Sequence, residues 1–200
     1  AKNAEITDCG IGGQTFEYKN SEYKIKLLGK HQISNAVVAI ETIKNVFKDI
    51  TDETVKKGLL KTVFPARCEV ISEEPLLLLD GSHNPNGTAA LDKVLSDLKI
   101  NNATAIVGFM ADKDVKDAIS KVAGHFSKMI AVEVASNNRT MKAEELAEAC
   151  KEFCSDSVAA ESYAKAIALA KEANKPIIVF GSLYLSSDIR PLLLNSDKTI

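Results

Sequence analysis

The sequence predicts an α/β fold for residues 65–200, with a mainly parallel sheet flanked by helices. Short apolar runs alternate in this region with helical patterns of about 10–15 residues, as they do in βαβ units around a buried sheet. Leu76–Leu79 is apolar at every position, which is typical of a parallel strand covered on both faces. Residues before Pro65 lack this alternation, so we predict a domain boundary near Phe64–Pro65.

Residues 1–64 are predicted to contain a hairpin and two helices. Alternating apolar and polar residues predict paired strands at Gln14–Tyr18 and Tyr23–Leu27. Apolar residues at helical spacing predict a helix over Gln32–Phe47, and Thr51 is suited to cap a second helix over Asp52–Leu60. These few elements indicate a piece of a larger domain rather than a complete one.

Strands and helices are predicted to alternate beyond Pro65. The predicted strands are Cys68–Ser72, Leu76–Leu79, Thr104–Val107, Met129–Glu133, Ser157–Ala159 and Ile177–Phe180. The predicted helices are Gly87–Leu98, Val115–Ala123, Ala143–Phe153, Tyr163–Ala173 and Leu183–Pro191.

The composition is that of an ordinary soluble globular chain, with 46% of the 200 residues hydrophobic and 26% charged. The net charge of −2 argues against nucleic acid or an anionic membrane as the main partner. No apolar run approaches the ~20 residues that span a bilayer, and the N-terminal segment lacks the pattern of a signal peptide. The cysteines Cys9, Cys68, Cys150 and Cys154 lack C-x-x-C spacing, so we expect reduced thiols in a cytoplasmic protein and no metal site. Cys150 and Cys154 are expected to share one face of a helix.

Polar groups follow three of the predicted strands, at the sheet edge where α/β proteins bind their ligands. Asp80 follows the strand in LLLLDGSHNPNG, and AIVGFMADKD carries Asp112 and Lys113 before a helix. Gly181 and Ser182 follow the last strand, in IIVFGSLYL. Backbone N–H groups at strand-to-helix junctions suit phosphate or carboxylate, so the residues alone predict an anionic ligand at this edge.

Each of these residues also has a structural interpretation, which the sequence leaves open. Asp80 is equally suited to cap a helix or to stabilise a turn, and His83 to make a structural hydrogen bond. The Asp112-Lys113 pair fits a solvated first helical turn, and Gly181-Ser182 fits a tight turn.

Two further polar residues and two histidines have the same ambiguity. Arg67 fits an exposed surface charge, and Asn35 lies among apolar helix neighbours, which fits burial with a capping or loop partner. His31 and His125 have no partner at ligand spacing and are interpreted as structural.

No glycine-rich phosphate loop occurs in the sequence. Neither G-x-x-x-x-G-K-[ST] nor G-x-G-x-x-G is present, and CGIGGQ fits neither pattern and follows no convincing strand. A nucleotide would therefore be bound by this chain from one side.

Four segments in order resemble the folylpolyglutamate synthase/dihydrofolate synthase family, within the Mur-ligase superfamily. LLGKHQISNAVVAIETI is similar to its L-x-G-x-H-Q-x-x-N-A-x-x-A segment, and FPARCEVISEEPLLLLDGSHNP to its P-[GA]-R-x-E and L-D-G-[AS]-H-N-P block. VGFMADKDV is similar to its G-x-x-x-D-K-D loop, and VFGSLYL to its G-S-x-Y-[LF] segment. The resemblance extends from about Tyr23 to Arg190. It implies a Rossmann-like sheet of the Mur-ligase C-terminal domain type over residues 65–200, and the C-terminal part of the P-loop ATPase domain over residues 1–64.

The resemblance implies an ATP-dependent ligase that activates a folate carboxylate as an acyl phosphate and joins it to the amine of L-glutamate. By motif, Asn35, Arg67 and Asp80 match ATP-contacting residues, and His83 and Ser182 match residues beside the reacting end. ATP and Mg²⁺ are implied as cofactors, with folate or dihydropteroate and L-glutamate as substrates. The resemblance implies no metal ligand in this sequence, because the Mg²⁺ ligands are expected in the N-terminal part of family members.

Family members are about twice as long as this chain and begin with a P-loop domain. The chain is therefore expected to be a C-terminal fragment that is inactive alone and has the P-loop domain as its partner. One alternative is a non-catalytic nucleotide- or partner-binding module. Another is a phospho-acceptor domain that uses Asp80, although the sequence lacks the acidic pair that would hold Mg²⁺ beside it.

Overall fold

The computed structural model describes residues 4–196 and divides the chain into two compact units. The first unit ends at Phe64 and the second begins at Pro65, the position at which the sequence pattern changes. Among the described residues, no helix is both long and apolar enough to cross a membrane.

A three-stranded antiparallel sheet and two helices form the first unit. The strands β1 (Glu5–Gly10), β2 (Gly13–Tyr18) and β3 (Ser21–Ile25) lie in the order β1-β2-β3. The helices α1 (Lys30–Val46) and α2 (Asp52–Lys61) follow, and their apolar faces share one core with β2 and β3.

The predicted hairpin and both predicted helices of this unit are confirmed, although β3 begins and ends two residues earlier than the predicted strand Tyr23–Leu27. Lys19 and Asn20 form the turn between β2 and β3 with φ values of 48° and 61°, the two-residue geometry that follows the twist of paired strands. Thr51 caps α2, because its hydroxyl accepts a hydrogen bond from the Thr54 N–H at 3.2 Å.

β1 is absent from the sequence prediction, and the inference that CGIGGQ follows no strand is wrong. Most residues of β1 are exposed, so the strand lacks the apolar alternation on which strand prediction depends. CGIGGQ forms the tight connection between two antiparallel strands, with Gly10 paired to Gly13. A phosphate loop joins a strand to a helix, so the exclusion of such a loop at this position still holds.

The second unit contains a six-stranded sheet in the order β4-β5-β9-β6-β7-β8. β4 and β5 are antiparallel and the other neighbouring pairs are parallel, so the predicted mainly parallel sheet is confirmed. All six predicted strands are present, with the bounds β4 Glu69–Glu73, β5 Leu76–Leu79, β6 Ala103–Val107, β7 Phe126–Ala131, β8 Ser157–Ala159 and β9 Ile177–Phe180.

The helices of the second unit alternate with these strands as predicted. They are α3 Pro85–Asp97, α4 Val115–Ser120, α5 Ala143–Lys151, α6 Tyr163–Glu172 and α7 Leu183–Ser196. Asn84, Asp114 and Ser162 precede three of them, and each side chain accepts a hydrogen bond from the first helical turn. The helices cover the sheet so completely that β6 and β9 are buried at every position.

The prediction is wrong at the bounds of α4 and β7. α4 ends at Ser120, and a 3₁₀ turn at Ala123–His125 leads into β7, which begins three residues earlier than expected. His125 is buried, with its ring nitrogens 2.7 Å from the Ile100 carbonyl and 3.0 Å from Asp92 Oδ1. These contacts agree with its structural interpretation.

Two further expectations about helices are also wrong. α5 ends at Lys151, so Cys154 lies beyond the helix, although its N–H still donates to the Cys150 carbonyl at 2.9 Å and both free cysteines are buried. α7 continues past Pro191, which lacks the N–H that a helix interior uses. Ile189 and Leu193 of that helix are packed in the core, and this burial offsets the lost hydrogen bond.

Candidate functional site

Three loops meet at the carboxyl edge of the parallel strands β5 and β9. The Gly181 N–H donates to the Ser82 carbonyl at 2.8 Å, which joins the loop after β9 to the loop after β5. The Gly81 N–H donates to the Ala66 carbonyl at 2.9 Å, which joins the turn before β4 to the same loop. This edge therefore brings together four residues that the motifs singled out: Arg67, Asp80, His83 and Ser182.

The Asp80 carboxylate is buried and is already bonded to the backbone of two loops. Its Oδ2 accepts from the Cys68 N–H at 2.9 Å, and its Oδ1 accepts from the Ser82 N–H at 2.8 Å. These hydrogen bonds show that Asp80 stabilises a turn, as its structural interpretation holds. The Cys68 thiol also donates to Oδ2 at 3.4 Å, so the second lone pair of Oδ1 is the one left for a ligand, and its contact with a ribose hydroxyl stays a prediction.

Arg67 lies at the centre of a turn in which both neighbouring residues have left-handed backbone. Ala66 has φ 57° and Cys68 has φ 47°, a conformation that costs about 1–2 kcal/mol for each residue with a Cβ. The turn directs the guanidinium over the next loop, where a Cβ on Gly81 would lie 3.0 Å from Arg67 Nη1. Gly81 is therefore required for this close approach, and Arg67 is a partly buried cation rather than the freely exposed charge that the sequence allowed.

The loop between Asp80 and α3 carries His83 and ends at the N-terminus of that helix. His83 is partly buried, and its Nδ1 lies 3.0 Å from the Gly81 carbonyl. Asn84 Oδ1 accepts from the Gly87 N–H at 2.9 Å and so caps α3. The Ser82 hydroxyl is buried without a hydrogen-bond partner among the described residues, a cost of about 1–3 kcal/mol that a polar group of a ligand or a water would offset.

Ser182 is a buried residue at the beginning of α7. Its hydroxyl accepts from the Tyr184 N–H at 3.0 Å, and its carbonyl accepts from the Ser186 N–H at 3.0 Å. The Ser186 hydroxyl also lies 3.1 Å from the Asp80 carbonyl, which ties the start of α7 to the end of β5. These bonds fit the structural interpretation of Ser182, and its contact with a reactant stays a prediction.

Two ionisable groups beside Arg67 have shifted pKa values. Burial, and then the negative charge of Asp80, raise the pKa of the Cys68 thiol well above its ordinary value. Burial also raises the pKa of Glu69, but hydrogen bonds from Arg190 and the Ala66 N–H outweigh it, and the Glu69 pKa lies below its ordinary value. Cys68 is therefore a neutral thiol that donates to Asp80 at 3.4 Å, whereas Glu69 is an ionised partner of Arg190.

The Asp112-Lys113 segment follows β6 at the carboxyl edge of the sheet. The two side chains form an ion pair at 2.9 Å, which, with a further contribution from Arg139, lowers the pKa of Asp112. The Ala111 N–H donates to the Arg139 carbonyl at 2.8 Å, so this segment is connected to the loop after β7. Arg139 is a further cation of this edge that was not predicted from the sequence, because its loop carries no recognised motif.

Asn35 lies in the first unit, where it is exposed on α1. Its Nδ2 donates to Gln32 Oε1 at 3.0 Å, and Gln32 Nε2 lies 3.1 Å from His31 Nε2. The structural interpretation of Asn35, burial with a capping or loop partner, is wrong, because Asn35 lies on the opposite side of α1 from the buried residues Ile33, Val37 and Ile40. Its assignment to ATP stays a prediction.

The described residues offer no cluster of side chains suited to bind Mg²⁺. Within residues 4–196, no three His, Cys, Asp or Glu side chains are grouped so that they could hold a metal ion. Both oxygens of Asp80, the acidic group at the site, are committed to backbone N–H groups. No step of the chemistry is therefore assigned to a metal bound by these residues.

Comparison with known proteins gives a family match over most of the second unit. Residues 66–183 match the family described as Mur ligase, glutamate ligase domain. Folylpolyglutamate synthase from Lacticaseibacillus casei is 34% identical over 193 residues, which cover 91% of this chain and 44% of the relative. Dihydrofolate synthase/folylpolyglutamate synthase from Bacillus subtilis is 28% identical over 196 residues, which cover 90% of this chain and 44% of the relative.

Solved structures share the fold. Folylpolyglutamate synthase from Thermotoga maritima aligns with a TM-score of 0.84 at 24% identity, over 96% of this chain and 46% of that protein. The Mycobacterium tuberculosis enzyme, solved in complex with ADP, aligns with a TM-score of 0.81 at 24% identity, over 96% of this chain and 46% of that protein. The chain thus spans a little under half the length of the relatives that it matches.

Proposed function

Because this chain belongs to the Mur ligase family through its glutamate ligase domain, we propose that it forms one half of the nucleotide site of an ATP-dependent folate–glutamate ligase. The observation that carries the proposal is the convergence of two chain segments at one edge of a parallel sheet: the turn before β4, with Arg67, and the loop after β5, with Asp80 and His83. Ligands of open α/β sheets bind outside this edge. Relatives named as folylpolyglutamate and dihydrofolate synthases support the choice of substrates.

In the proposed reaction, ATP phosphorylates a folate carboxylate, and the amine of L-glutamate attacks the acyl phosphate. The products are an amide, ADP and phosphate. Catalysis of this kind depends on fixed positive groups that stabilise charge on the transferred phosphoryl oxygens. Arg67 is suited to this role because its guanidinium is permanently charged and its donors match phosphate oxygens in pairs.

The residues beside Arg67 also suit an anionic ligand. α3 begins at Pro85, directly after the loop, and the positive end of its dipole favours negative charge there. The Gly81 carbonyl holds His83 by its Nδ1, which leaves Nε2 as the ring nitrogen for a ligand. We assign His83 and Ser182 to the reacting end, where they would contact phosphate or glutamate.

Asp80 and Asn35 are the other two residues that the motifs assign to ATP. Asp80 holds the Arg67 turn in place and offers the remaining lone pair of its Oδ1 to a ribose hydroxyl. Asn35 offers a donor and an acceptor from the first unit, which we propose to be the C-terminal part of a P-loop ATPase domain. The P-loop itself and the Mg²⁺ ligands would then belong to a partner segment, and closure of the two halves would exclude water from the acyl phosphate.

Purified as it stands, the chain is expected to show no ATP-dependent addition of glutamate to tetrahydrofolate or dihydropteroate. The phosphates would lack the P-loop half of their site.

A chimera in which this chain replaces the matching segment of the Lacticaseibacillus casei relative is expected to be active. Arg67→Ala in that chimera should lower kcat about 100-fold, the effect typical of losing one charge-stabilising donor. Radiolabelled glutamate incorporation measures both.

Two results would contradict this proposal. Turnover by the chain alone would show that no P-loop half is required. Equal activity of the chimera with and without Arg67→Ala would remove Arg67 from the site. A folded but inactive chimera would favour the alternative, a non-catalytic nucleotide- or partner-binding module.

A further inference from the structure

The turn that carries Arg67 cannot hold its conformation through local interactions alone. Ala66 and Cys68, on either side of Arg67, both have positive φ, and both carry a Cβ that disfavours it. Non-glycine residues persist in this conformation when the surrounding structure determines it. The contacts that fix the turn therefore decide where the Arg67 guanidinium lies.

Two carboxylates accept hydrogen bonds from the backbone of this turn, one from the residue before Arg67 and one from the residue after it. Asp80 Oδ2 accepts from the Cys68 N–H at 2.9 Å, and Glu69 Oε2 accepts from the Ala66 N–H at 3.1 Å. Asp80 is anchored at the end of β5, because its own N–H donates to the Val179 carbonyl at 2.8 Å in the neighbouring strand. Glu69 has a longer and more flexible side chain, so it requires an anchor of its own.

Arg190 on α7 supplies that anchor. Its Nε lies 3.1 Å from Glu69 Oε1 and 3.0 Å from Oε2, and its Nη2 lies 2.6 Å from Oε1. The pair joins positions 121 residues apart, and the Glu69 side chain is 12% exposed. A forked, partly buried pair fixes geometry far better than the exposed lysine pairs of this unit.

We propose that Glu69 and Arg190 are positioning residues, which hold the left-handed turn so that Arg67 faces the site. α7 begins at the loop that carries Ser182, so the pair also fixes the distance between that loop and the Arg67 turn. The part of the inference that concerns a nucleotide rests on the proposed function. The part that concerns the turn does not.

Arg190→Met tests the inference because methionine keeps the apolar stem but removes the fork. Hydrogen exchange at the Ala66 amide should accelerate about tenfold, since this N–H loses its fixed acceptor, while exchange in the central strand β6 stays unchanged. ADP affinity, measured by NMR titration of the full chain, should weaken about tenfold as Arg67 leaves its position. Arg190→Lys, which keeps the charge without the fork, should give a smaller acceleration at Ala66.

Lys128→Met is the matched control. Lys128 forms an ion pair with Asp156 at 3.1 Å, at the opposite edge of the same sheet. This variant also loses an ion pair of the second unit, but it should leave both Ala66 exchange and ADP affinity at their parental values. If Arg190 had a merely structural role, Arg190→Met would also leave Ala66 exchange and ADP affinity at their parental values.

Unchanged exchange at Ala66 in folded Arg190→Met would overturn the inference. If that variant does not fold, exchange at Ala66 at the parental rate in Arg190→Lys would likewise overturn the inference. If the parental chain binds no ADP, the proposed function is contradicted, and the Ala66 exchange rates still decide whether Glu69 and Arg190 hold the turn.

Discussion

Asp80→Ala is expected to lower the free energy of unfolding of the second unit by about 3 kcal/mol, because two buried N–H groups lose a charged acceptor. The Cys68 N–H donates to one carboxylate oxygen at 2.9 Å and the Ser82 N–H to the other at 2.8 Å. Both amides lie at the sheet edge, and the alanine side chain of the variant has no acceptor that could replace the carboxylate. Thermal unfolding followed by circular dichroism should show a Tm lower by roughly 6–12 °C.

Asp156→Ala is the control for this prediction. Its carboxylate accepts from the partly buried Lys128 at 3.1 Å, and the aspartate side chain is 54% exposed. Exposed pairs of this kind contribute about 0–1 kcal/mol, so the Tm should change little. Asp80→Asn keeps one acceptor and should lie between the two. Equal Tm values for Asp80→Ala and Asp156→Ala would show that Asp80 does not hold the turn.

Gly181→Ala is expected to destabilise the second unit by about 3 kcal/mol or more, through backbone strain and a steric clash together. Gly181 has φ 116°, a conformation that side chains rarely adopt. An added Cβ would also lie 2.7 Å from the Gly108 carbonyl oxygen and 2.8 Å from two ring carbons of Phe109. Urea unfolding should show a lower midpoint with an unchanged slope.

Gly124→Ala provides the matched comparison in the same unit. A Cβ at Gly124 would meet no atom within 4 Å, so this variant should unfold at the parental urea concentration. A Gly181→Ala midpoint as high as that of Gly124→Ala would contradict the close approach of the loops after β9 and β6. It would also weaken the case that Ser182 is held at this edge.

The strands of the second unit were predictable because buried parallel strands are short, continuous apolar runs. Leu76–Leu79 and Ile177–Phe180 were predicted at their observed bounds for this reason. β1 was missed because an exposed strand has no apolar signal of its own and is defined by its pairing with β2. The end of α7 was misplaced because Pro191 is a local stop signal, whereas burial of Leu193 is a tertiary effect.

The residues of the candidate site could be predicted from the sequence, but the hydrogen bonds among them could not. The motifs identified Arg67, Asp80 and Ser182, and their position after strands indicated one sheet edge. Nothing local reveals that Asp80 bonds the Cys68 amide or that Arg190 bonds Glu69, since these contacts join residues 12 and 121 positions apart. The left-handed turn around Arg67 likewise depends on distant acceptors, because neither Ala66 nor Cys68 favours that backbone.

Titration of the full chain with ATP, followed by NMR at constant ionic strength, tests the proposed nucleotide site most directly. For a chain that supplies one half of the proposed cleft, we expect a Kd of about 1 mM, with shifts at the loops around Asp80 and Ser182. Arg67→Ala should weaken binding at least about tenfold by removing the fixed cation, whereas Lys128→Ala, at the opposite edge, should not. Equal affinity of the parental chain and Arg67→Ala would contradict the assignment of this sheet edge to a nucleotide.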